Sequence, residues 1–399
     1  MKKIVISGWY GEQNLGDEVI LEAMLQSIGE NIEDLDFSVL SFNPEYTKAN
    51  QKVHAVKHFP YTIKSLIGRI GKGKILSILE AYKVVKDADV ILIGGGGFLS
   101  DWNPEAIKPW IRQIYFYKKI LNKKIMLYAI GAGPFIHDKY MKQVKEALDL
   151  VDVITVRDQE SYDQLKKCGV TKHSITSDPV VSYKRNSKKS DVSNTTAHKI
   201  KVGVSIAPLF MSRLWKNHEE KYRSYLDAYV EFFSLVNNNQ DLREQIEFIF
   251  IPMQDDYDIP FNKEIISRIN YQDNIKIIEG KDNEEKIDIL QQMDLMIGMR
   301  LHSIIIASTF GVPSLGVVYH HKVNEYLKRI NMSDMAVHVG DGDNWIDTDL
   351  DANKMFDNFI AILQNKEHFD KKVVNAVNIL RECNLENVEH VQTLLEKGV

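Results

Sequence analysis

The sequence predicts an α/β protein of two doubly wound parallel sheets, each covered by helices on both faces, with the two halves facing a cleft. Three observations predict this. Short β-branched runs alternate with helical text over 3–169, and a second alternating series runs over 200–319. Glycine-rich turns interrupt the strand-like text at 94–97 and 131–133. Between the two series lies a polar stretch, "KRNSKKSDVSNTTAHK" (184–199), without apolar periodicity. Strands that alternate with helices at this spacing need crossover connections, so the sheets are parallel and buried on both faces.

In the first series, "KIVISG" (3–8) reads as a strand and "DEVILEAMLQSIG" (17–29) as an amphipathic helix. Asp17 and Glu18 suit the positive end of that helix's dipole. "FSVLSF" (37–42) is a strand, and "DVILIGGGGFL" (89–99) a buried strand that breaks into four glycines. "IRQIYFYKKILN" (111–122) is helical, "KIMLYAIGAGP" (124–134) a strand entering a glycine turn, "VDVITVRD" (151–158) a strand, and "QESYDQLKKCG" (159–169) a helix. In the second series, strands are expected at 200–208, 246–252, 274–280, 294–299 and 314–319, with a helix at 224–239. The expected domains are therefore 1–183, a linker at 184–199, 200–350, and a helical segment at 351–399, the first and third being Rossmann-like.

At 399 residues, with 44% apolar and 26% charged residues, the chain can bury sizeable cores. Its net charge of −5 argues against a general nucleic-acid binder, which would be basic. The two cysteines, Cys168 and Cys383, lie far apart and form neither a disulfide framework nor a metal knuckle. The N-terminus "MKKIVISGWYG" is broken too early by Gly8 to be a signal peptide, and no run reaches the ~18 apolar residues of a spanning helix. A cytoplasmic protein is expected.

In doubly wound sheets ligands sit at the carboxyl ends of the strands. The most informative of these loops lie in "MIGMRLHSIIIASTFGVPSLGVVYHHK" (296–322), where five potentially cationic side chains edge an apolar segment. Arg300 begins a turn, and His302 and Ser303 sit near a helix start. Gly311 and Pro313 end that helix, and the next strand ends at His320, His321 and Lys322. Helix N-termini offer N–H groups and partial positive charge. Arg300 adds a planar fork and Lys322 a point charge. The set suits a small, heavily charged anion. Read singly, the same residues are ordinary structural groups and a solvated turn.

"RLHS" at a helix start, followed by Gly-Val-Pro, a strand and a Lys, resembles the polysaccharide pyruvyl transferase family. "GWYGEQNLGDEVIL" (8–21) is similar to that family's opening glycine-rich loop, and "IGGGGFLSD" (93–101) to its second. "AIGAGP" (129–134), "VRDQES" (156–161) and "SDP" (177–179) follow in order. The resemblance spans roughly residues 3 to 330 and leaves 184–199 and the tail unmatched. It implies a two-domain glycosyltransferase-B-like fold. It also implies transfer of pyruvate from phosphoenolpyruvate, as donor substrate, onto two hydroxyls of a sugar as a cyclic ketal. Arg157, His302 and Lys322 then match the phosphoenolpyruvate-handling residues, with Arg300, Ser303 and His321 beside them on the donor side.

That chemistry needs a proton at C3 of the enol ether, a sugar hydroxyl at the cation-like C2, departure of phosphate, and a second hydroxyl to close the ring. His302 suits acid/base work, or else it only hydrogen-bonds phosphate. Arg157 and Lys322 would stabilise charge on carboxylate and phosphate. The acceptor is expected at the N-terminal half, around Gly11, Glu12, Asn14, Asp17 and Glu18, because carboxylates and amides partner sugar hydroxyls. Glu12 or Asp17 could be the base toward the attacking hydroxyl, and Asp17 reads equally as a helix cap. Gly95 and Gly96 let a ligand approach the backbone, or serve only a tight packing contact. Asp101 stands just beyond them. Gln254 follows a strand of the second half, as acceptor ligand or as part of a solvated turn. No His/Cys/Asp cluster has metal-ligand spacing, so neither a metal nor a cofactor is required.

The stretch 61–86 carries Lys64, Arg69, Lys72, Lys74, Lys83 and Lys86 against Glu80 alone, with Ile and Leu interleaved. It reads as a core helix with a solvated basic face, or as a surface lying on the inner face of an anionic membrane, which would suit a lipid-linked glycan acceptor. Nothing in the sequence sets an oligomeric state. Two other functions compete with pyruvyl transfer: a nucleotide-sugar-dependent glycosyltransferase of the same architecture, and a non-catalytic glycan- or anion-binding protein. The His-His-Lys strand end, where many such glycosyltransferases carry a carboxylate for ribose, favours the compact anion.

Overall fold

The structure, a computed structural model, describes residues 1–61, 63–70, 74–101, 104–185, 199–211, 217–343 and 345–396. Most of the polar stretch expected as a linker, 186–198, lies outside the described residues. The chain forms two compact units, one of Met1–Lys184 with Leu380–Val399, the other of Arg185–Ile379.

The first unit runs β1 (Lys2–Ser7), α1 (Leu15–Asn31), β2 (Leu35–Ser41), α2 (Pro44–Gln51), β3 (His54–Lys57), α3 (Ile63–Ile70), α4 (Ile75–Asp87), β4 (Val90–Leu99), α5 (Pro104–Tyr115), β5 (Lys124–Ala132), α6 (Asp138–Leu148), β6 (Val153–Val156), α7 (Gln159–Lys167) and β7 (Ser174–Ile175). Its seven strands are parallel, in the order β3-β2-β1-β4-β5-β6-β7. The chain winds outward from β1 to β3, returns to β4 beside β1, and winds the other way. The reversal lies between β1 and β4, whose carboxyl ends open the crevice where such sheets take ligands. Ile4, Ile6, Ile91, Ile93, Ile125 and Leu127 fill the centre and are buried.

The four glycines expected to break the strand after residue 93 lie inside β4 instead. Pairing with β5 runs through them, Gly94 against Tyr128 and Gly96 against Ile130, then resumes at Leu99 against Ala132 after a register shift. Gly95 has φ +65° and Gly96 φ +121°, values that L side chains rarely adopt. A Cβ on Gly95 would also collide with Ile20 Cγ2. Glycine therefore keeps the strand paired while its edge bulges.

The second unit runs β8 (Ile200–Ser205), α8 (Glu219–Asn238), α9 (Gln240–Gln245), β9 (Ile246–Phe250), α10 (Asp255–Arg268), β10 (Ile275–Ile277), α11 (Asn283–Leu290), β11 (Leu295–Gly298), α12 (Leu301–Thr309), β12 (Ser314–Val318), α13 (His321–Arg329), β13 (Ala336–His338), a small pair β14 (Gly340–Asp341) and β15 (Asp347–Thr348), and α14 (Ala352–Gln364). Its main sheet is parallel, in the order β10-β9-β8-β11-β12-β13, so the winding reverses between β8 and β11. Phe232, Phe233, Phe248, Phe250 and Phe359 interlock in its core, Phe232 meeting Phe359 edge-on at 5.6 Å.

A last helix, α15 (Lys366–Glu396), crosses the division between the units, and its residues from Leu380 onward belong to the first. Asn387 ties it there. Its buried Oδ1 accepts from Thr155 Oγ1 (2.6 Å) and Thr176 Oγ1 (3.1 Å), and its Nδ2 donates to Asn384 Oδ1 (3.0 Å). Thr155 Oγ1 in turn accepts from the N–H of Ala129, which sits at φ +47° in the irregular part of β5. Truncating Asn387 removes the shorter acceptor of two buried hydroxyls, which keep only longer contacts to Leu127 O (3.3 Å) and Val156 O (3.4 Å), and leaves Asn384 Oδ1 without the Asn387 donor. Asn387→Ala should therefore cost about 2 kcal/mol or more in denaturant unfolding of the first unit, and a loss below roughly half that would show the network to be dispensable.

Candidate functional site

Two groups of side chains, one in each unit, stand at the carboxyl ends of the parallel strands. In the first unit β1 ends at Ser7, and the loop from Gly8 leads to α1. Asn14 caps α1, its Oδ1 accepting from Gly16 N at 3.0 Å, so the cap considered for Asp17 belongs to Asn14. Gly11 has φ +85°, and its N–H donates to Glu18 Oε1 at 2.7 Å. Tyr10, fully buried, donates its hydroxyl to Gly94 O at 2.5 Å and so joins this loop to the bulged part of β4. Burial, reinforced by Asp17 and Glu18, keeps that phenol protonated.

Asp17 projects from the first turn of α1 toward the same bulge: a Cβ on Gly96 would lie 3.4 Å from Asp17 Oδ1. On the next residue, a Cβ would lie 3.4 Å from Arg157 Nη2, and one on Gly131 would meet the same guanidinium at 3.0 Å. Gly97 and Gly131 thus leave room for Arg157, which is only 5% exposed. A charge so desolvated needs partners. Arg157 Nη1 donates to Asp178 Oδ2 at 2.9 Å, and Asp158 lies 3.6 Å from its Nε. Trp9 borders the group at 43% exposure, propped by Phe42 at 4.8 Å and Trp110 at 6.5 Å between centroids.

The structure thus brings Gly11, Asn14, Asp17, Gly95, Gly96 and Arg157 together in one unit. Glu12 is exposed on the rim of the loop. Asp101 is elsewhere employed: fully buried, it accepts from Ile136 N and His137 N, both at 2.7 Å, and leaves no surface for a sugar hydroxyl. Glu18 has a carboxyl perturbed by its burial. Burial pushes it up to about 7, against the N–H groups of Gly11 and Gln13 that favour its charge, with a further push from Glu12. Its Oε2 is buried without a hydrogen-bond partner. The sequence shows it only as a first-turn acid beside Asp17.

In the second unit β11 and β12 are parallel neighbours, Met296 against Ser314 and Gly298 against Gly316, and each ends in a helix N-terminus. Arg300 occupies the cap position of α12, with His302, half-buried, and Ser303 in its first turn. Arg300 Nη2 donates to Asp258 Oδ1 at 2.5 Å, while Asp258 Oδ2 accepts from Met253 N and Gln254 N. Burial opposes the guanidinium's charge, but Asp258, Tyr319 and Tyr225 outweigh it and raise the pKa. Ser303 turns its hydroxyl inward to Arg300 O at 2.6 Å and is fully buried.

His320, His321 and Lys322, expected at the end of the strand or in a turn, open α13. His320 caps it, its Nδ1 accepting from Lys322 N at 3.3 Å. The His321 ring meets Trp345 edge-on at 4.0 Å, and Lys322 Nζ lies 5.7 Å from the Tyr319 ring centre. Gln254 precedes α10 in this unit, after β9 as the sequence places it, and beside the Arg300–Asp258 pair. Two adjacent helix N-termini bearing His302 and Lys322 can hold a compact polyanion. Among the described residues no cluster of three or more His, Cys, Asp or Glu side chains is arranged to hold a metal.

Glu18 makes a pH-dependent prediction. In the folded protein it keeps its proton to about pH 7, whereas its ordinary value is 4.5. Between these values the folded state binds more protons than the unfolded one, so the stability contributed by Glu18 falls as pH rises through the window. Glu18→Gln keeps an oxygen for the Gly11 N–H but cannot ionise. It should remove that slope and gain roughly 3 kcal/mol on the parent above the window relative to below it. Denaturant titrations across the range test this, and parallel parent and variant curves would refute it.

Comparison with known proteins completes the site's description. The family described as Polysaccharide pyruvyl transferase matches residues 14–321. The amylovoran biosynthesis protein AmsJ of Erwinia amylovora is 21% identical over an alignment covering 94% of this chain and 95% of that protein. Among solved structures, a glycosyltransferase from Rickettsia africae superposes with a TM-score of 0.60 at 12% identity, covering 100% of both chains. A UDP-GlcNAc 2-epimerase from Methanocaldococcus jannaschii gives 0.57 at 14% identity, covering 96% of this chain and 100% of that one. At such identities the structural likeness speaks for the fold alone, a glycosyltransferase-B-like pair of α/β units. The family match spans most of the chain, Asp17, Arg157 and His302 included and Gly11, Glu12 and Lys322 just outside it, and by it the chain belongs to the polysaccharide pyruvyl transferase family.

Proposed function

We propose that this protein transfers pyruvate from phosphoenolpyruvate to two hydroxyls of one sugar in a surface polysaccharide, forming a cyclic ketal and releasing phosphate. The observation that carries the reading is the pair of helix N-termini at the ends of β11 and β12, with His302 in the first turn of one and Lys322 in the first turn of the other. Phosphoenolpyruvate carries close to three negative charges, and N–H dipoles with a cation offset its desolvation. Arg300 is already paired with Asp258. It therefore serves best as a scaffold for the start of α12, and Lys322 as the mobile point charge.

The reaction balances as follows. A proton adds to C3, making the methyl group, and C2 takes the positive charge. One sugar hydroxyl bonds to C2 and loses its proton, the C2–O bond to phosphate breaks, and the second hydroxyl adds and loses its proton. Of the two protons released, one replaces that spent on C3 and the other leaves on hydrogen phosphate. In this reading His302 delivers and recovers such a proton. On the acceptor side, the Asp17 carboxylate over the β4 bulge and the exposed face of Trp9 offer a base or hydrogen-bond acceptor and an apolar platform. The acceptor in this reading is a sugar of a growing polysaccharide, with the protein in the cytoplasm.

Phosphoenolpyruvate should stabilise the protein by ~2.7 kcal/mol at a hundredfold excess over its Kd. A shift with a UDP-sugar and none with phosphoenolpyruvate would instead make the protein a nucleotide-sugar glycosyltransferase. In a phosphate-release assay across candidate acceptors, His302→Ala should retain donor binding and lose turnover by about 10²-fold or more. Lys322→Ala should chiefly raise the phosphoenolpyruvate KM. Undiminished turnover in the first variant would remove His302 from the proton transfers, and an unaltered KM in the second would remove Lys322 from the donor site.

A further inference from the structure

We infer that the outward face of α3 and α4 is a docking surface for an anionic lipid bilayer. Among the described residues fifteen large apolar side chains are exposed, and six of them, Ile67, Ile70, Ile75, Leu76, Leu79 and Tyr82, fall within this one stretch. The rest are spread along the chain, so the concentration here is a patch rather than the usual scatter.

The helical register shows why they form a face. On α4, Ala81 and Val85 are buried against the sheet. Ile75, Leu79, Tyr82 and Lys86 follow one another at spacings of four, three and four and share a stripe, with Leu76 and Lys83 seven apart beside it. All six are exposed. The buried stripe lies on the other side of the helix. Thus α4 carries two apolar faces, and among the described residues only one of them has a protein partner. Lys86 Nζ lies 6.0 Å from the Tyr82 ring centre, and a lysine so placed can keep its charge among headgroups while its stem meets apolar surface.

Charge selects the occupant. From 61 to 86 the sequence holds six Lys or Arg and one Glu, in a chain whose net charge is −5. A second copy packed face to face on this surface would oppose like charges. A bilayer with anionic headgroups satisfies both features at once, taking the apolar side chains below the headgroups and the ammonium groups among them. No helix among the described residues is long and apolar enough to cross a membrane, so the contact is peripheral. The inference does not depend on the pyruvyl-transfer reading.

Flotation of the full-length protein with vesicles tests it without any donor or acceptor, so failure here and failure of the proposed reaction remain distinct results. Binding is expected to phosphatidylcholine vesicles containing about a third phosphatidylglycerol but not to pure phosphatidylcholine, and should fall as salt rises from about 0.1 M to about 0.5 M. Leu76→Ser/Leu79→Ser and Lys83→Glu/Lys86→Glu should each weaken it by about tenfold or more while keeping the parent's unfolding midpoint. Equal binding to both vesicles, no binding to either, or unchanged binding in both variants would overturn the inference. So would a dimer, seen in sedimentation, that the Leu76/Leu79 variant converts to monomer, since the face would then belong to a second copy.

Discussion

Parallel strands cannot be joined by tight turns, and that constraint shapes everything functional in this protein. Each strand of a parallel sheet must be followed by a crossover, so within each main sheet every strand delivers its carboxyl end to the same edge, and most are followed by a helix whose N-terminus opens there. The reversal of winding, between β1 and β4 in one unit and between β8 and β11 in the other, keeps neighbouring crossovers from covering that edge. Asp17 follows β1 and Arg300 follows β11 at these reversals, while Arg157 and Lys322 follow β6 and β12 further along the same sheets.

The two groups solve different electrostatic problems. In the first unit the glycines of β4 and β5 admit a buried guanidinium, and Asp178 and Asp158 compensate it. That arrangement favours rigidity, since a desolvated ion pair tolerates little displacement of either member. Glu18 shows the other outcome of burial: a carboxyl with two N–H donors but no cation is driven toward its neutral form. In the second unit the charges sit at helix starts. Asp258 anchors both Arg300 and the backbone at 253–254, tying the beginnings of α10 and α12 to each other.

Much of this was legible from residues alone. Alternating β-branched and helical runs announced both sheets, and "RLHS" with the Gly-Val-Pro turn placed a helix start beside a strand end, where the structure has α12 and β12. Legibility failed where a residue's job depends on something far away in sequence. Asp101 looks like a loop carboxylate, yet its oxygens serve the backbone at 136–137. The glycines of β4 look like a strand end because composition alone does not reveal that β5 continues to pair with them. His320–Lys322 look like a turn because a helix as polar as α13 shows its start only through its cap.

The sequence by itself determined the class of fold, the family and the kinds of side chain at each strand end, because periodicity, glycine turns and motif order are local properties that survive without coordinates. Tertiary structure alone decided which of those side chains are spent on internal partners. Arg157, Asp101, Ser303 and Arg300 all read as ligand-binding groups, and each has its main partner set by packing, three of them through contacts 21 to 42 residues away. Burial, which converts Glu18 from an ordinary helix-start acid into a proton-holding one, is likewise a property of the packed whole. Desolvation depends on everything that surrounds a group, and no stretch of sequence contains its own surroundings.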